Sequence, residues 1–166
     1  MVHIVAMLLH LAFVPSPEFE AAVQAELNAI YESTPVRFQV MVEREGMHLG
    51  AVSDVVYVDA SGACIARSPW AGGALASTES VDGVLKPLMT VDCDKLAAYV
   101  GYPPAIPKAL ARVLAHEMLH YLLQEPHHAS EGLFRASLSR AKLIDGVTVL
   151  RASETNRVKA RLTGSL

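Results

Sequence analysis

Cysteine is scarce in this chain, aromatic residues make up only 6% of it, and no block of like charges occurs anywhere. Each shortage excludes something. The two cysteines, Cys64 and Cys93, do not form a CxxC, so a thioredoxin-type motif or a second, thiolate-based metal centre is unsupported. They either pair in an oxidising compartment or stay as two buried thiols, and the sequence leaves both open. The formal charge is -3 and the isoelectric point about 6.1, and no basic stripe of the kind that grips phosphates is present. Basic residues thicken in the last third (Arg135, Arg140, Lys142, Arg151, Arg157, Lys159, Arg161), at a spacing that reads as solvated helix faces. Nucleic acid is not an expected partner.

A bilayer-spanning run is also missing. The apolar stretch from Val2 to Val14 is too short to cross a membrane and is interrupted by His3 and His10. It has the length of a signal-peptide apolar region, without the basic start or the small-x-small cleavage site. Residues 1–15 therefore read as a buried first strand, with a remnant signal segment as the alternative. Localisation, cytoplasmic or exported, stays open.

What the chain has in quantity is aliphatic bulk. Hydrophobic residues reach 52% and mean hydropathy is +0.30, enough at 166 residues for one domain with a dense core of Val, Leu, Ala and Met. No repeat or second domain interrupts residues 1–166. Ser16 as cap, Pro17 at the first helical position and Glu18 and Glu20 behind it open a helix. Phe19, Ala22, Val23, Leu27 and Ile30 form its buried stripe, and Pro35 follows its end. Val36, Phe38, Val40 and Val42 alternate with polar neighbours as a half-buried strand does, and Asp54–Asp59 reads as a central strand. The Gly-, Ser- and Ala-rich stretch up to Gly83 reads as a long loop, the kind that is often functional. Val84–Asp92 is expected to be an edge strand, because Pro87 cannot donate to a ladder. A short helix closed by Gly101, a motif helix from about Pro107 to Gln124, and weaker helices over Phe134–Leu143 and Ser153–Leu162, the latter capped by Ser153, complete the reading. The fold class is a small mixed α+β domain.

The chemistry lies in "LAHEMLHYLLQEPHHASEGLF", Leu114 to Phe134, which holds four of the seven histidines. On a helix His116 and His120 project in parallel from one face, and both imidazoles can reach a single cation. Zinc prefers such nitrogen donors, three from the protein, with a position left for water. Glu117 is rotated about 100° from His116, which in H-E-x-x-H sites sets the carboxylate beside the water instead of on the metal. There it takes the proton of a water made acidic by the cation, as general base. Arg112 is the only other charged side chain between Ala109 and Leu123, so a metal would satisfy both imidazoles of an otherwise apolar helix. The third ligand must come from beyond Pro126, which turns the chain back. His127 and His128 are the candidates, with Glu131 a weaker one.

With its downstream histidine the segment resembles the zincin metallopeptidases, specifically a metzincin-like group of small bacterial proteins. Those follow the H-E-x-x-H helix with a histidine and a small-residue turn of the type S-G-[IL]-M-R. "HHASEGLFR" looks like that element, with Gly132 and Leu133 in the turn and Arg135 after it, and the resemblance prefers His128 over His127 as third ligand. It implies a zincin-like fold: a small mixed sheet packed on the long N-terminal helix and the motif helix, followed by C-terminal helices. It also implies a Zn2+ cofactor and a peptide or protein substrate that adds a strand to the sheet edge. Val84, Leu85, Leu88 and Met89 would carry that edge, and Leu133 and Phe134 the floor of the site. Two departures stand out. Leu123 and Pro126 break the H-E-x-x-H-x-x-G-x-x-H spacing, and Phe134 takes the place of the turn methionine. The expected function is zinc-dependent peptide hydrolysis. The alternative is a catalytically weak zincin-like domain that uses zinc structurally or only binds peptide.

Overall fold

A computed structural model describes residues 1–164; Ser165 and Leu166 lie outside the described residues. Five strands form one mixed sheet in the order β2-β1-β3-β5-β4, where β1 is His3–Leu11, β2 Val36–Val42, β3 Asp54–Ser61, β4 Ala76–Val81 and β5 Val84–Asp92. The first four in that order run parallel, and β4 is antiparallel to β5. The N-terminal apolar run is β1, bonded on both sides and buried continuously from Val5 to Leu9. A strand covered on both faces needs no polar alternation, and that is why this one reads as an unbroken apolar run.

Helix α1 (Pro17–Ile30) makes the crossover from β1 to β2. The Ser16 hydroxyl accepts from the Phe19 N–H at 3.2 Å, and Val23, Leu27 and Ile30 are buried against the sheet. The polar side of α1 has a second task. Asn28 exchanges two hydrogen bonds with the backbone of Phe38, and the Gln24 carbonyl accepts from the Val40 N–H. Three ladder groups of β2 are thereby occupied by amide side chains.

Helix α2 (Cys93–Val100) begins at Asp92, whose carboxylate accepts from the Lys95 N–H, and closes at Gly101, whose φ of 65° suits glycine. Cys93 is joined to Cys64 by a disulfide across 4.5 Å between Cα atoms. The paired alternative is therefore the one the fold adopts. Helix α3 (Ile106–Leu123) carries the motif and lies almost wholly in the core. It is held at its middle by Arg112, only 1% exposed. The guanidinium pairs with Glu26 of α1 at 2.7 Å and donates to the carbonyls of Lys142, Asp145 and Gly146. A buried cation is tolerated when its donors are consumed in this way, and here the acceptors come from two separate segments. Tyr31 adds a bond from its hydroxyl to the Ala115 carbonyl. No helix among the described residues is long and apolar enough to cross a membrane.

Three expectations need correction. The edge strand is β4, not β5: Val84, Leu85, Leu88 and Met89 lie on a strand flanked by β4, and by β3 from Leu88 onward. Pro87 is accommodated by an irregularity instead of an edge, since the β4–β5 register jumps between Thr78 and Ser80 and leaves it outside the ladder. The expected helix over Phe134–Leu143 shrinks to α4 (Arg140–Ile144), because Leu133 and Phe134 are used in a turn beneath the motif helix. The last helix, α5 (Ala152–Leu162), starts one residue before Ser153, and its first turn is closed by the Glu154 carboxylate accepting from the Arg151 N–H at 2.8 Å.

Arg112 gives the first test. Arg112→Met keeps the apolar stem but strands Glu26 and three carbonyls, so stability in urea falls by about 3–5 kcal/mol. A loss below about 1 kcal/mol is what an ordinary surface change gives, and would remove Arg112 from its central place.

Candidate metal centre

α3 places His116 and His120 one turn apart, and the chain then reverses. Gln124 sits in the left-handed region (φ 51°) as the helix cap. Its side-chain amide accepts from the Leu85 N–H and donates to the Leu85 carbonyl, both at 3.0 Å, which fastens the helix end to β5. Pro126 follows, and the return brings His128 back to the helix. One ring nitrogen from each of His116, His120 and His128 lies within 4.8 Å of the other two.

The hydrogen bonds decide which nitrogens are free. His116 Nδ1 is 2.7 Å from the Leu133 carbonyl, and His120 Nδ1 is 2.6 Å from the Glu125 carbonyl. A carbonyl only accepts, so each Nδ1 carries the proton and each neutral ring keeps a bare lone pair on Nε2. Those Nε2 atoms are 3.2 Å apart, and His128 Nε2 is 3.1 Å from His120 Nε2. Two lone pairs at that distance repel, unless a cation lies between them. Tetrahedral zinc with bonds of about 2.0–2.1 Å holds its nitrogens roughly 3.3 Å apart, close to the spacing found. The donor set therefore fits zinc on geometry and on tautomer, and the two carbonyls provide the outer-shell support that zinc histidines usually have.

Phe134 lies under the cluster as its floor. It is buried, with its ring centroid 4.7 Å from that of His120 and 6.1 and 6.2 Å from those of His116 and His128. Its backbone is fixed from below by Glu154 of α5, whose Oε1 accepts from the Phe134 N–H at 2.9 Å while Oε2 caps the helix. Gly132 has φ 82°, and a Cβ there would sit 2.5 Å from Glu154 Oε1, so this turn requires glycine. Leu133, the other expected floor residue, is buried and contributes the carbonyl that orients His116.

Glu117 is 6% exposed and sits beside the cluster instead of in it. Burial raises its pKa, and a hydrogen bond from the Thr78 hydroxyl to Oε2 at 2.7 Å partly opposes the rise. Thr78 belongs to β4, so the edge strand touches the glutamate directly. Burial lowers the pKa of His116 and of the more exposed His128, with the neighbouring histidines adding to it. A cavity of about 220 Å³ opens alongside, lined by His116, Glu117 and His128 and otherwise mostly apolar.

The remaining expected residues fall elsewhere. His127 is exposed, lies outside the cluster and donates its backbone N–H to Glu125. Glu131 is engaged with Arg151. Thr78, Glu154 and Gln124 were not found by pattern. Thr78 lies in a stretch whose composition reads as loop, yet "VDGV" after it is a two-residue hairpin signal, and Asp82 and Gly83 do take positive φ (53° and 77°).

Because burial holds the imidazoles of His116 and His128 below the ordinary range, their lone pairs persist at neutral pH and are lost only as pH falls below about 6.5. Zinc should therefore raise the melting temperature fully at pH 7–8, with the increment shrinking as acid protonates the ligands. Acid also destabilises the metal-free protein, since the unfolded chain takes up these protons first. Calorimetric scans with zinc distinguish the two adjacent histidines: His128→Ala loses the increment and His127→Ala keeps it. The reverse pattern would make His127 the ligand.

No protein-family model and no curated protein matches the sequence. Among solved structures, the fold is similar to that of an archaemetzincin from Methanopyrus kandleri, with a TM-score of 0.55. The similarity covers 98% of this chain and 96% of that one, at 10% sequence identity. At that identity the likeness is one of architecture: the chain has a zincin-like fold.

Proposed function

We propose that this chain is a zinc-dependent peptidase, with His116, His120 and His128 as ligands and Glu117 as general base. The observation that carries the reading is the convergence of bare imidazole lone pairs, with a buried carboxylate beside them at the mouth of a cavity. Zinc held there supplies Lewis acidity, polarising a carbonyl and making water acidic enough to yield its proton at neutral pH.

The chain's own residues divide the rest of the work. Glu117 receives that proton: its raised pKa brings it closer to neutrality, where a base is both ionised and effective. The Thr78 hydroxyl occupies Oε2, which fixes the carboxylate plane and leaves Oε1 for the water. Among the described residues the outer edge of β4 is bonded to no other strand, and the residues of β4 are largely exposed. A peptide laid along it as an added strand would be held by its backbone, above Glu117. Leu133 and Phe134 keep the underside of the site apolar and dry.

Glu117→Gln tests the assignment. It should retain stoichiometric zinc by metal analysis, while hydrolysis of an unfolded protein substrate falls by about 10²-fold or more. A variant that cleaves as well as the parent ends the general-base role. A zinc-loaded parent that binds peptides and cleaves none would make the domain a binding module.

A further inference from the structure

The cavity beside Glu117 has a wall whose rigidity and charge the hydrolytic chemistry does not require. Trp70 and Tyr99 pack with ring centroids 4.8 Å apart, and the Tyr99 hydroxyl donates to the Leu138 carbonyl at 3.1 Å. Leu75 and Val113 complete an apolar lining, and the Cys64–Cys93 disulfide ties the loop bearing Trp70 to the helix bearing Tyr99. The space suits one large apolar side chain. Among the described residues that line it, Arg135 is the one cationic residue outside the histidine cluster.

Arg135 differs from the other arginines around it. Arg140 donates to the Val100 carbonyl, Arg151 pairs with Glu131, and Arg157 pairs with Glu125. Arg135 is exposed, and the ion pairs among the described residues leave it out. Its backbone is nonetheless fixed, by a bridge to Ala129 and by the Ala129 N–H donating to the Phe134 carbonyl at 2.8 Å. An arginine whose fixed backbone lies at the wall of an apolar cavity can offer a flat pair of donors to a carboxylate there.

We propose that Arg135 and this cavity together bind a peptide carboxylate that belongs to, or directly follows, a large apolar residue. Under the peptidase reading, on which the substrate class rests, that apolar residue lies just beyond the bond to be cut. The carboxylate is either the chain's own C-terminus or a following acidic side chain. In the first case the enzyme releases a terminal residue, and in the second it selects an internal acidic site.

Three N-blocked peptides distinguish these cases, their affinities measured calorimetrically on zinc-loaded Glu117→Gln protein so that nothing is cleaved. One ends in phenylalanine as the free acid, one in phenylalanine amide, and one in phenylalanine followed by glutamate amide. A carboxylate-bearing peptide should bind about tenfold more tightly than the plain amide, the scale of a partly exposed charge-assisted pair. Which of the two does so names the source. Arg135→Gln should bring that peptide to the amide's level, Arg135→Lys should keep part of the preference, and high salt should weaken it. Equal binding of all three, no measurable binding of either acid, or a preference that survives Arg135→Gln overturns the proposal. Hydrolysis by the parent is read separately. Cleavage without carboxylate preference sinks Arg135 and spares the peptidase, and preference without cleavage does the opposite.

Discussion

Two short hydrogen bonds, from the Nδ1–H groups of His116 and His120 to the carbonyls of Leu133 and Glu125, organise everything around the motif helix. A helix this apolar cannot bury imidazoles without giving each a partner. The partners available are backbone carbonyls of the segment that follows, and taking them draws that segment back under the helix. The same two bonds fix the tautomer, so the nitrogens left over are acceptors that crowd one another. Loop path, ring orientation and the capacity to hold a cation thus share one cause. Glu154 finishes the arrangement from the far side by holding the Phe134 N–H, which is how α5, distant in sequence, comes to support the floor.

The parts of this structure that a linear reading finds are those with a buried face. α1, β2 and the motif helix bury one stripe or nearly all of their surface, and the patterns of Val23, Leu27 and Ile30 or of Val36, Phe38 and Val40 show it. β4 buries almost nothing, so "ASTESV" has no apolar period and reads as loop although it is the strand against the site. Only the Asp82-Gly83 turn betrays it. The segment after His128 misleads in the opposite sense. Leu133, Phe134 and Leu138 have helical spacing, but their burial comes from packing under α3 and beside the cavity. Of the candidate site, the grouping of His116, Glu117 and His120 on one helix is legible in the H-E-x-x-H spacing, and resemblance alone separates His128 from His127. The supporting residues Thr78, Gln124 and Glu154 were invisible because each acts across a long sequence separation, through contacts that no local pattern encodes.

Phe134 shows how a departure from a motif can be absorbed. A thioether would offer a polarisable, adaptable contact beneath the histidines. The phenyl ring offers a flat apolar one, with the Arg157 guanidinium 5.9 Å from its centroid on a neighbouring helix. The phenyl ring has no lone pair to offer, so Phe134 shapes the packing of the floor and leaves the donor set to the three histidines above it.

The treatment of the two sheet margins has a further consequence. At β2 the amides of Asn28 and Gln24 already fill ladder positions, whereas β4 keeps its outer groups for whatever arrives. A sheet with two receptive margins can propagate from molecule to molecule, each copy extending the next. With one margin closed by its own helix, this sheet is a terminator: it can accept a single visiting strand and then has nowhere left to grow. The same side chains that dock α1 on β2 therefore limit growth of the sheet by strand addition to the margin at β4.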